Sequence, residues 1–221
     1  MATNQAVRRD DAPVSAVVLA AGASSRMGSL KALLAWKGTS LANYVVGELL
    51  QAPIERIVVV TGNGADEVVA AIPKDPRVTL VPNDRWADGK AGSIVRGVGA
   101  VSEGHHLLIA AIDQPRPNSL IASLISAHTT GLADGRVATV AGYDGRRGHP
   151  IIFVPEIRLE LLVLDEATAG MRAVVTRHAA RVRVADFGDP AALLNLNTPE
   201  EYAAAATAES EATVHRASPT P

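Results

Sequence analysis

The sequence predicts an α/β fold, a three-layer sandwich with a mostly parallel sheet between two layers of helices. Short runs rich in Val, Ile and Leu alternate along the chain with segments of helical periodicity, and this order is typical of a parallel sheet. The first run, residues 14–19, is apolar throughout apart from one serine, as expected of a strand buried on both faces. The chain has 221 residues, of which 48% are hydrophobic, and this suits one domain of this kind.

The other strands and helices follow from the same alternation of β-branched runs and longer amphipathic segments. A helix predicted over residues 65–72 ends at Pro73, because proline cannot continue a helix. The Gly- and Asp-containing stretch 143–148 predicts a hairpin connection between two strands. Further predicted strands cover residues 56–61, 78–81, 106–112, 137–141, 150–153 and 181–185. Further predicted helices cover residues 41–51, 93–101, 118–128, 156–164, 169–178 and 199–206.

Both ends of the chain differ in composition from the rest. Residues 1–12 are mostly polar and charged and lack the apolar stretch of a signal peptide. Residues 209–221 are polar and end in Ser-Pro-Thr-Pro. We expect both ends to be disordered tails and residues 13–208 to form a single domain.

Composition argues against several classes of function. The formal net charge is −2, which disfavours a protein that binds nucleic acid or an acidic membrane through its overall charge. The sequence contains no cysteine, so disulfides, thiolate catalysis and Cys-ligated metals are excluded. No run approaches the roughly 18 consecutive apolar residues of a membrane span. These features favour a cytoplasmic enzyme with small-molecule substrates.

The loop after the first predicted strand has the features of a phosphate-binding turn. Gly22 and Gly28 enclose a polar turn whose successive backbone N–H groups can form a nest for an anion. Arg26 and Lys31 add positive charge, and small side chains leave the backbone accessible. The composition alone agrees equally well with a glycine-containing turn whose charges are solvated. The residues that we assign to nucleotide binding in this loop are Leu19, Ala20, Ala21, Gly22, Ser24, Ser25, Arg26 and Lys31.

Two familiar phosphate-binding motifs are absent. A Walker loop requires G-x-x-x-x-G-K-[ST], but five residues separate Gly22 from Gly28, and Ser29 stands where lysine is required. The dinucleotide fingerprint G-x-G-x-x-G begins at Gly62, but Glu67 occupies the position of the third glycine. The loop therefore belongs to another type.

An acidic residue follows the predicted strand 106–112. Asp113 stands where a parallel strand ends, which is the edge of the sheet at which ligands bind. A carboxylate beside a phosphate site is a natural Mg²⁺ ligand, because Mg²⁺ combines few carboxylates with water and phosphate oxygens. An aspartate that starts a turn before Pro115 is an equally ordinary interpretation of the same residue.

Five ordered motifs between residues 14 and 202 resemble those of the molybdenum cofactor nucleotidyltransferases, and the cytidylyltransferase branch is the closer match. The first motif is L-A-A-G-x-S-x-R-M-G-x-x-K, which starts at Leu19. The others are N-D-x-W-x-x-G from Asn83, D-Q-P from Asp113, G-H-P from Gly148 and N-T-P-E-E from Asn197. The resemblance implies the Rossmann-like fold of the nucleotide-diphospho-sugar transferases.

The resemblance also implies roles for particular residues. Arg26, Lys31 and Asp113 would be catalytic, and Asp113 and Asn197 would hold Mg²⁺. Asn197 is also a suitable N-cap for the last predicted helix, and both roles are compatible. The other implied residues are Asn83, Gly92 and Ser93 at the base and ribose, with Arg147 and His149 on the acceptor side. For Arg147 and His149, ordinary turn positions are the competing interpretation.

The stretch Asn195-Leu196-Asn197 departs from the cytidylyl pattern, in which D-x-D-T-P is usual and guanylyl relatives show N-x-N-T-P. Ala21, by contrast, is typical of the cytidylyl loop, where guanylyl relatives usually have glycine. The resemblance implies Mg²⁺-dependent transfer of a cytidylyl group from CTP to a molybdopterin-type acceptor, and a molybdoenzyme as protein partner. Guanylyl transfer from GTP is one alternative.

A second class of function is compatible with the same residues. Some chains that resemble this family reduce quinone-like pigments such as nicotine blue, with NADPH or NADH as the cofactor. Their pyrophosphate could lie in the same loop, and hydride transfer needs no Mg²⁺. A module that binds a pterin without catalysis is the third alternative.

Overall fold

The computed structural model describes the backbone of residues 12–217 and the side chains of residues 12–209. A seven-stranded sheet contains β1 (Val14–Ala20), β4 (Arg56–Thr61), β5 (Val78–Pro82), β6 (His106–Ala111), β7 (Ala138–Tyr143), β8 (Arg146–Phe153) and β9 (Val182–Asp186). A small two-stranded sheet contains β2 (Ala35–Trp36) and β3 (Thr39–Ser40). The helices are α1 (Leu41–Gln51), α2 (Ala65–Ala71), α3 (Lys90–Gly99), α4 (Asn118–Leu132), α5 (Arg158–Leu162), α6 (Met171–Arg177) and α7 (Pro199–Ala217).

The large sheet has the strand order β5-β4-β1-β6-β8-β7-β9. Only β8 runs against its neighbours in this sheet, because it pairs antiparallel with both β6 and β7 while every other pair is parallel. The order of strands and helices therefore confirms the predicted α/β fold with a mostly parallel sheet.

Two apolar cores lie on the two faces of the sheet and complete the three layers. One core includes Leu41 and Leu49 of α1 with Leu124 of α4. The other includes Ile94 of α3 and Leu161 of α5. Strand residues alternate between the cores, as successive side chains of a strand point to opposite faces.

Helix α3 packs directly on β1 and β4, and β1 is the strand that precedes the loop predicted to bind phosphate. Gly97 makes this possible, since a Cβ atom there would lie 2.3 Å from Val17 Cγ1 and 2.9 Å from Val60 Cγ2. The close approach fixes the N-terminal turn of α3 beside the carboxyl end of β1. Residues at the start of α3 are thereby placed at the edge where the predicted site lies.

Two differences from the sequence expectation concern the predicted turn 143–148 and the predicted C-terminal tail. Strand β8 begins at Arg146, so the predicted turn 143–148 contracts to Asp144 and Gly145, where both φ angles are positive. Helix α7 continues to Ala217, so the tail expected from residue 209 is wrong over residues 209–217. Alanine and glutamate dominate this part of the chain, and both favour helix. The tail expectations for residues 1–11 and 218–221 lie outside the described residues.

No helix in the part of the chain that the structure describes is long and apolar enough to cross a bilayer.

Candidate active site

The carboxyl ends of the central parallel strands surround a cavity of about 260 Å³. The loop after β1 forms one side, and the residues after β6 and before α7 form the other. The predicted residues that line this cavity are Leu19, Ala20, Ala21, Gly22, Ser24, Ser25, Arg26, Lys31, Ser93, Asp113 and Asn197. The structure therefore brings most of the predicted site residues together.

The loop after β1 is held by its own backbone and by one buried side chain. Met27 is 9% exposed, and its N–H donates to the carbonyl of Ser24 at 2.9 Å. Ser24 has φ +52° and Gly28 has φ +70°, so residues in the left-handed conformation stand at both ends of this five-residue segment. Successive N–H groups in such a conformation form a concave anion-binding surface. Arg26 is exposed at its mouth.

Lys31 links the two predicted metal ligands. Its Nζ donates to Asp113 Oδ2 at 2.8 Å and to Asn197 Oδ1 at 3.0 Å. Its backbone N–H donates to Ser24 Oγ at 3.1 Å, which ties the lysine to the phosphate loop. One ammonium group thus connects the loop after β1, the end of β6 and the segment before α7.

Asp113 and Asn197 are kept close together by hydrogen bonds between residues 113–114 and residues 195–196. The Leu196 N–H donates to the Asp113 carbonyl at 2.9 Å, and Gln114 Nε2 donates to Asn195 Oδ1 at 2.8 Å. The pair of asparagines is therefore part of the site architecture. Asn195 contacts the Asp113 loop, whereas Asn197 reaches the cavity.

The predicted capping role of Asn197 is taken by its neighbour. The Glu201 N–H donates to Thr198 Oγ1 at 3.2 Å, and Glu201 Oε2 accepts from the N–H groups of Asn197 and Thr198. This reciprocal arrangement is a capping box, with the threonine as the cap. The side chain of Asn197 is consequently available to the cavity.

The donor set of Asp113 and Asn197 suits a hard cation that keeps other ligands. One carboxylate and one amide oxygen match the oxygen ligands of Mg²⁺, which retains water and phosphate oxygens rather than requiring a complete protein cage. The described residues contain no group of three or more His, Cys, Asp or Glu that could hold a metal. These two residues therefore fit a metal that is shared with a nucleotide.

Asn83 and Gly92 support the cavity without lining it. Asn83 is 1% exposed, and its Nδ2 donates to Ser93 Oγ at 2.9 Å. Gly92 stands beside this pair, since a Cβ atom at Gly92 would lie 3.9 Å from Asn83 Nδ2. Only Ser93 of these three faces the cavity directly.

A second cavity of about 350 Å³ adjoins the first and shares Leu19, Lys90 and Ala111 with it. His149, to which the resemblance gives a role on the acceptor side, lies in the wall of this second cavity. The wall of this second cavity also contains Ile94, Gln114, Glu166, Met171 and Arg172. Two cations, one carboxylate and several apolar groups thus line the same space.

Arg147 lines neither cavity. It is exposed in the β7–β8 hairpin and pairs through its backbone with Gly142. The reason is the early start of β8, which places Arg147 within the hairpin and not in a turn over the site. The structure therefore does not bring this predicted residue together with His149.

His149 is held as a neutral side chain at neutral pH. Burial lowers the pKa of its imidazole below the ordinary 6.5, and the charges of Arg116 and Lys90 lower it further, while Asp113 opposes them. A neutral imidazole can donate one hydrogen bond and accept another. His149 can therefore contact a polar ligand without adding charge.

Sequence reasoning missed Arg116. It is 3% exposed and donates to the carbonyls of His149 at 2.9 Å, Pro115 at 3.1 Å and Ala192 at 3.1 Å. Burial lowers the pKa of this guanidinium to about 10, and it remains charged. The only signal in the sequence is a lone arginine between two prolines, which predicts no such contact.

Glu166 is a second residue that the sequence did not reveal. Its Oε1 accepts a hydrogen bond from the Ala91 N–H at 2.9 Å, at the start of α3. A carboxylate at this position complements the partial positive charge of a helix N-terminus. The segment before α6 is thereby attached to the wall of the second cavity.

A glycine-containing loop after β1, at the carboxyl ends of a mostly parallel sheet, with a carboxylate after the neighbouring strand β6, is the arrangement expected of an α/β nucleotidyltransferase. The family profile described as "MobA-like NTP transferase domain" matches residues 16–182. The chain belongs to this family, and it is a nucleotidyltransferase of the MobA-like type.

Three relatives match nearly all of their length. A nicotine blue oxidoreductase from Paenarthrobacter nicotinovorans is 28% identical over 194 residues, covering 85% of this chain and 94% of the relative. A molybdenum cofactor cytidylyltransferase from Escherichia coli is 24% identical over 191 residues, covering 86% and 93%. A molybdenum cofactor guanylyltransferase from Xanthomonas euvesicatoria is 30% identical over 196 residues, again covering 86% and 93%.

Solved structures confirm the fold. Rv0371c from Mycobacterium tuberculosis has a TM-score of 0.76 at 24% identity, covering 89% of this chain and 98% of that one. A structure of Rv0371c in complex with manganese has a TM-score of 0.70 at 22% identity, covering 88% and 98%.

Proposed function

We propose that the protein transfers a cytidylyl group from CTP to a phosphorylated, molybdopterin-type acceptor and releases pyrophosphate. The observation that carries this proposal is the convergence of the phosphate loop, Lys31, Asp113 and Asn197 on one cavity, with a second cavity directly beside it. The first cavity suits the nucleotide, and the second suits the acceptor.

In the proposed reaction, a phosphate oxygen of the acceptor attacks the α-phosphorus of CTP while the bond to the β-phosphate oxygen breaks. The attacking oxygen is already an anion, so no strong general base is required. Catalysis is then mainly positioning and neutralisation of charge. The loop N–H groups hold the β- and γ-phosphates, and Arg26 and Lys31 offset the negative charge of the departing pyrophosphate.

Asp113 and Asn197 are the residues that would hold Mg²⁺. When bound, the metal supplies positive charge to the phosphate oxygens and steadies their position. Gln114 and the Leu196 N–H support this role, because their contacts keep the two ligand segments together.

The second cavity supports an acceptor that is both anionic and partly apolar. Lys90 and Arg172 supply positive charge, and Met171 and Ile94 supply apolar contact for a ring. His149 adds a neutral hydrogen-bonding group. These features favour a flat heterocycle that carries a phosphate.

The preference for CTP is supported by the residue type at Ala21, which lines the first cavity. Alanine is typical of the cytidylyl form of this loop, where guanylyl relatives usually have glycine. Asn195 and Asn197 favour GTP instead, so both nucleotides belong in the test.

The test is release of pyrophosphate from CTP and from GTP, with Mg²⁺ and molybdopterin as acceptor. We expect release with CTP, and its loss by a factor of about a hundred or more in Asp113→Ala. Asp134→Ala, which replaces an exposed aspartate outside the five motifs and both cavities, is the control and should retain activity. Faster release from GTP than from CTP would overturn the choice of nucleotide.

An NAD(P)H-dependent oxidoreductase is the second candidate. The 28% identity with the nicotine blue oxidoreductase favours it, as does Lys31, which already neutralises Asp113 without a metal. The dinucleotide carries a pyrophosphate that can use the same loop. Tight NADPH binding without pyrophosphate release from either nucleotide would reject the transferase and support this candidate.

A further inference from the structure

The ammonium group of Lys31 occupies the space between the oxygens that are proposed to bind metal. Both Asp113 Oδ2 and Asn197 Oδ1 lie within hydrogen-bonding distance of Nζ, at 2.8 and 3.0 Å. A divalent cation bound to the same two oxygens needs this space. Two cations so close together would also repel each other strongly at a partly buried site.

We propose that Lys31 competes with the divalent cation for Asp113 and Asn197, so that the metal binds tightly only when a nucleotide is present. This inference rests on the proposed function for the identity of the nucleotide. It concerns the order and coupling of binding, however, and not the transfer step itself.

The charge of the cavity supports this competition. Asp113 is the only carboxylate among the described residues that line the first cavity, whereas Arg26, Lys31 and Lys90 are cations. The side chains of Lys31 and Asp113 are 13% and 14% exposed, so solvent screens this pair less than a surface pair. A divalent cation that arrives alone meets one carboxylate that already has a partner.

A triphosphate removes this obstacle. Its oxygens offer Lys31 an alternative set of anionic partners, and the Lys31 backbone is already held at the phosphate loop by Ser24 Oγ. Movement of the ammonium group to the phosphates leaves the oxygens of Asp113 and Asn197 for the metal. Because coupling between two ligands is reciprocal, the metal must strengthen nucleotide binding by the same factor.

The test is a titration of the protein with Mn²⁺, in which the free ion is followed by electron paramagnetic resonance without acceptor or turnover. Without nucleotide, we expect Lys31→Met to bind Mn²⁺ about tenfold more tightly than the wild type. The matched control is Lys37→Met, which removes a lysine paired with Glu209 at 2.8 Å outside the cavity and should leave Mn²⁺ affinity unchanged.

Two further titrations test whether the change in Mn²⁺ affinity arises at Asp113 and whether a nucleotide produces it. Addition of Asp113→Asn to Lys31→Met should abolish the gain in Mn²⁺ affinity, because the freed carboxylate is then absent. Addition of α,β-methylene-CTP, which cannot release pyrophosphate, should raise Mn²⁺ affinity in the wild type about tenfold and much less in Lys31→Met. Lys31→Gln replaces Lys31→Met if the latter does not fold, as judged by circular dichroism.

Equal Mn²⁺ affinities of the wild type and Lys31→Met would overturn the inference, as would a gain that survives Asp113→Asn. These outcomes are distinct from failure of the proposed function. If no nucleotide releases pyrophosphate, the transfer reaction is rejected, while the titration without nucleotide still decides whether Lys31 and the metal compete.

Discussion

A few side chains connect distant segments of the chain at the candidate active site, and Lys31 and Arg116 each join three of them. Arg116 illustrates this arrangement, because its three acceptors belong to the segments that carry Asp113, His149 and Asn197. A buried guanidinium with carbonyl acceptors fixes the relative position of these segments through geometry. We therefore expect its loss to affect both stability and the alignment of the two cavities.

Arg116→Met should lower the free energy of unfolding by about 3 kcal/mol, because three buried carbonyls lose a charged donor. Urea unfolding followed by circular dichroism measures this change. Arg146→Met, at an exposed hairpin position, should change the free energy by less than about 0.5 kcal/mol. Equal effects of the two substitutions would show that the three contacts of Arg116 contribute nothing specific.

The pH dependence of stability should carry a contribution from His149. Its pKa in the folded state is below the ordinary 6.5, so the unfolded state binds more protons near that pH. Stability consequently decreases as the pH falls below about 6.5, which is the sign expected for a depressed histidine. In His149→Gln the decrease in unfolding free energy between about pH 7.5 and pH 5.5 should be smaller. Parallel pH curves for the two proteins would contradict this assignment.

At the scale of elements, the positions of α3 and β8 determine the shape of the site. Helix α3 approaches the sheet closely at Gly97, and β8 approaches the segment before α7 at Gly148, where a Cβ atom would lie 2.0 Å from the Ala192 carbonyl oxygen. Each glycine therefore allows one wall of a cavity to reach its place. At Gly97 and Gly148 the absence of a side chain matters more than the backbone conformations that glycine allows.

Gly97→Ala should lower the free energy of unfolding by about 2 kcal/mol, because the added methyl group overlaps with Val17 and Val60. Gly99→Ala in the same helix is the matched control, since the nearest atom to its Cβ, Leu162 Cδ2, lies at 3.9 Å. We expect this control to be neutral or to stabilise by up to about 1 kcal/mol, as alanine favours helix. Thermal and urea unfolding measure both, and destabilisation by Gly99→Ala of similar size would contradict the packing argument.

The sequence predicted the elements that depend on local pattern and missed those that depend on tertiary contact. The sequence predicts Lys31 and Asp113 at one edge of the sheet because both come after parallel strands, whereas Asn197 is assigned to the same site only by the family resemblance; the contacts of Lys31 join all three. The contacts of Arg116 and Glu166 had no local signal, since their partners lie far away in sequence. The resemblance implies an acceptor-side role for Arg147, but β8 begins at Arg146 and leaves Arg147 in the hairpin, outside both cavities.

For the whole molecule, ligand binding and folding are linked, because the cavities exist only when the sheet edge is assembled. CTP with Mg²⁺ at a hundredfold excess over its Kd should therefore stabilise the native state by about 2.7 kcal/mol. Differential scanning calorimetry would detect this as a higher Tm.

In Asp113→Ala, the increase in Tm with CTP alone should persist, and the additional increase due to Mg²⁺ should disappear. Loss of both increases together would indicate that Asp113 supports the nucleotide pocket as a whole rather than the metal. The same calorimetric scans with NADPH in place of CTP show which ligand raises the Tm more, and this compares the two candidate functions.

The single antiparallel strand has a consequence for how such a protein can diversify. Because β8 runs against β6, its first residues reach the ligand edge of the sheet, and they do so as the continuation of a surface hairpin. Changes in length or sequence at Asp144 and Gly145 can therefore alter the strand that leads to His149 without altering the loop after β1. The hairpin can thus diversify independently of the loop after β1, and its changes reach the second cavity only through His149.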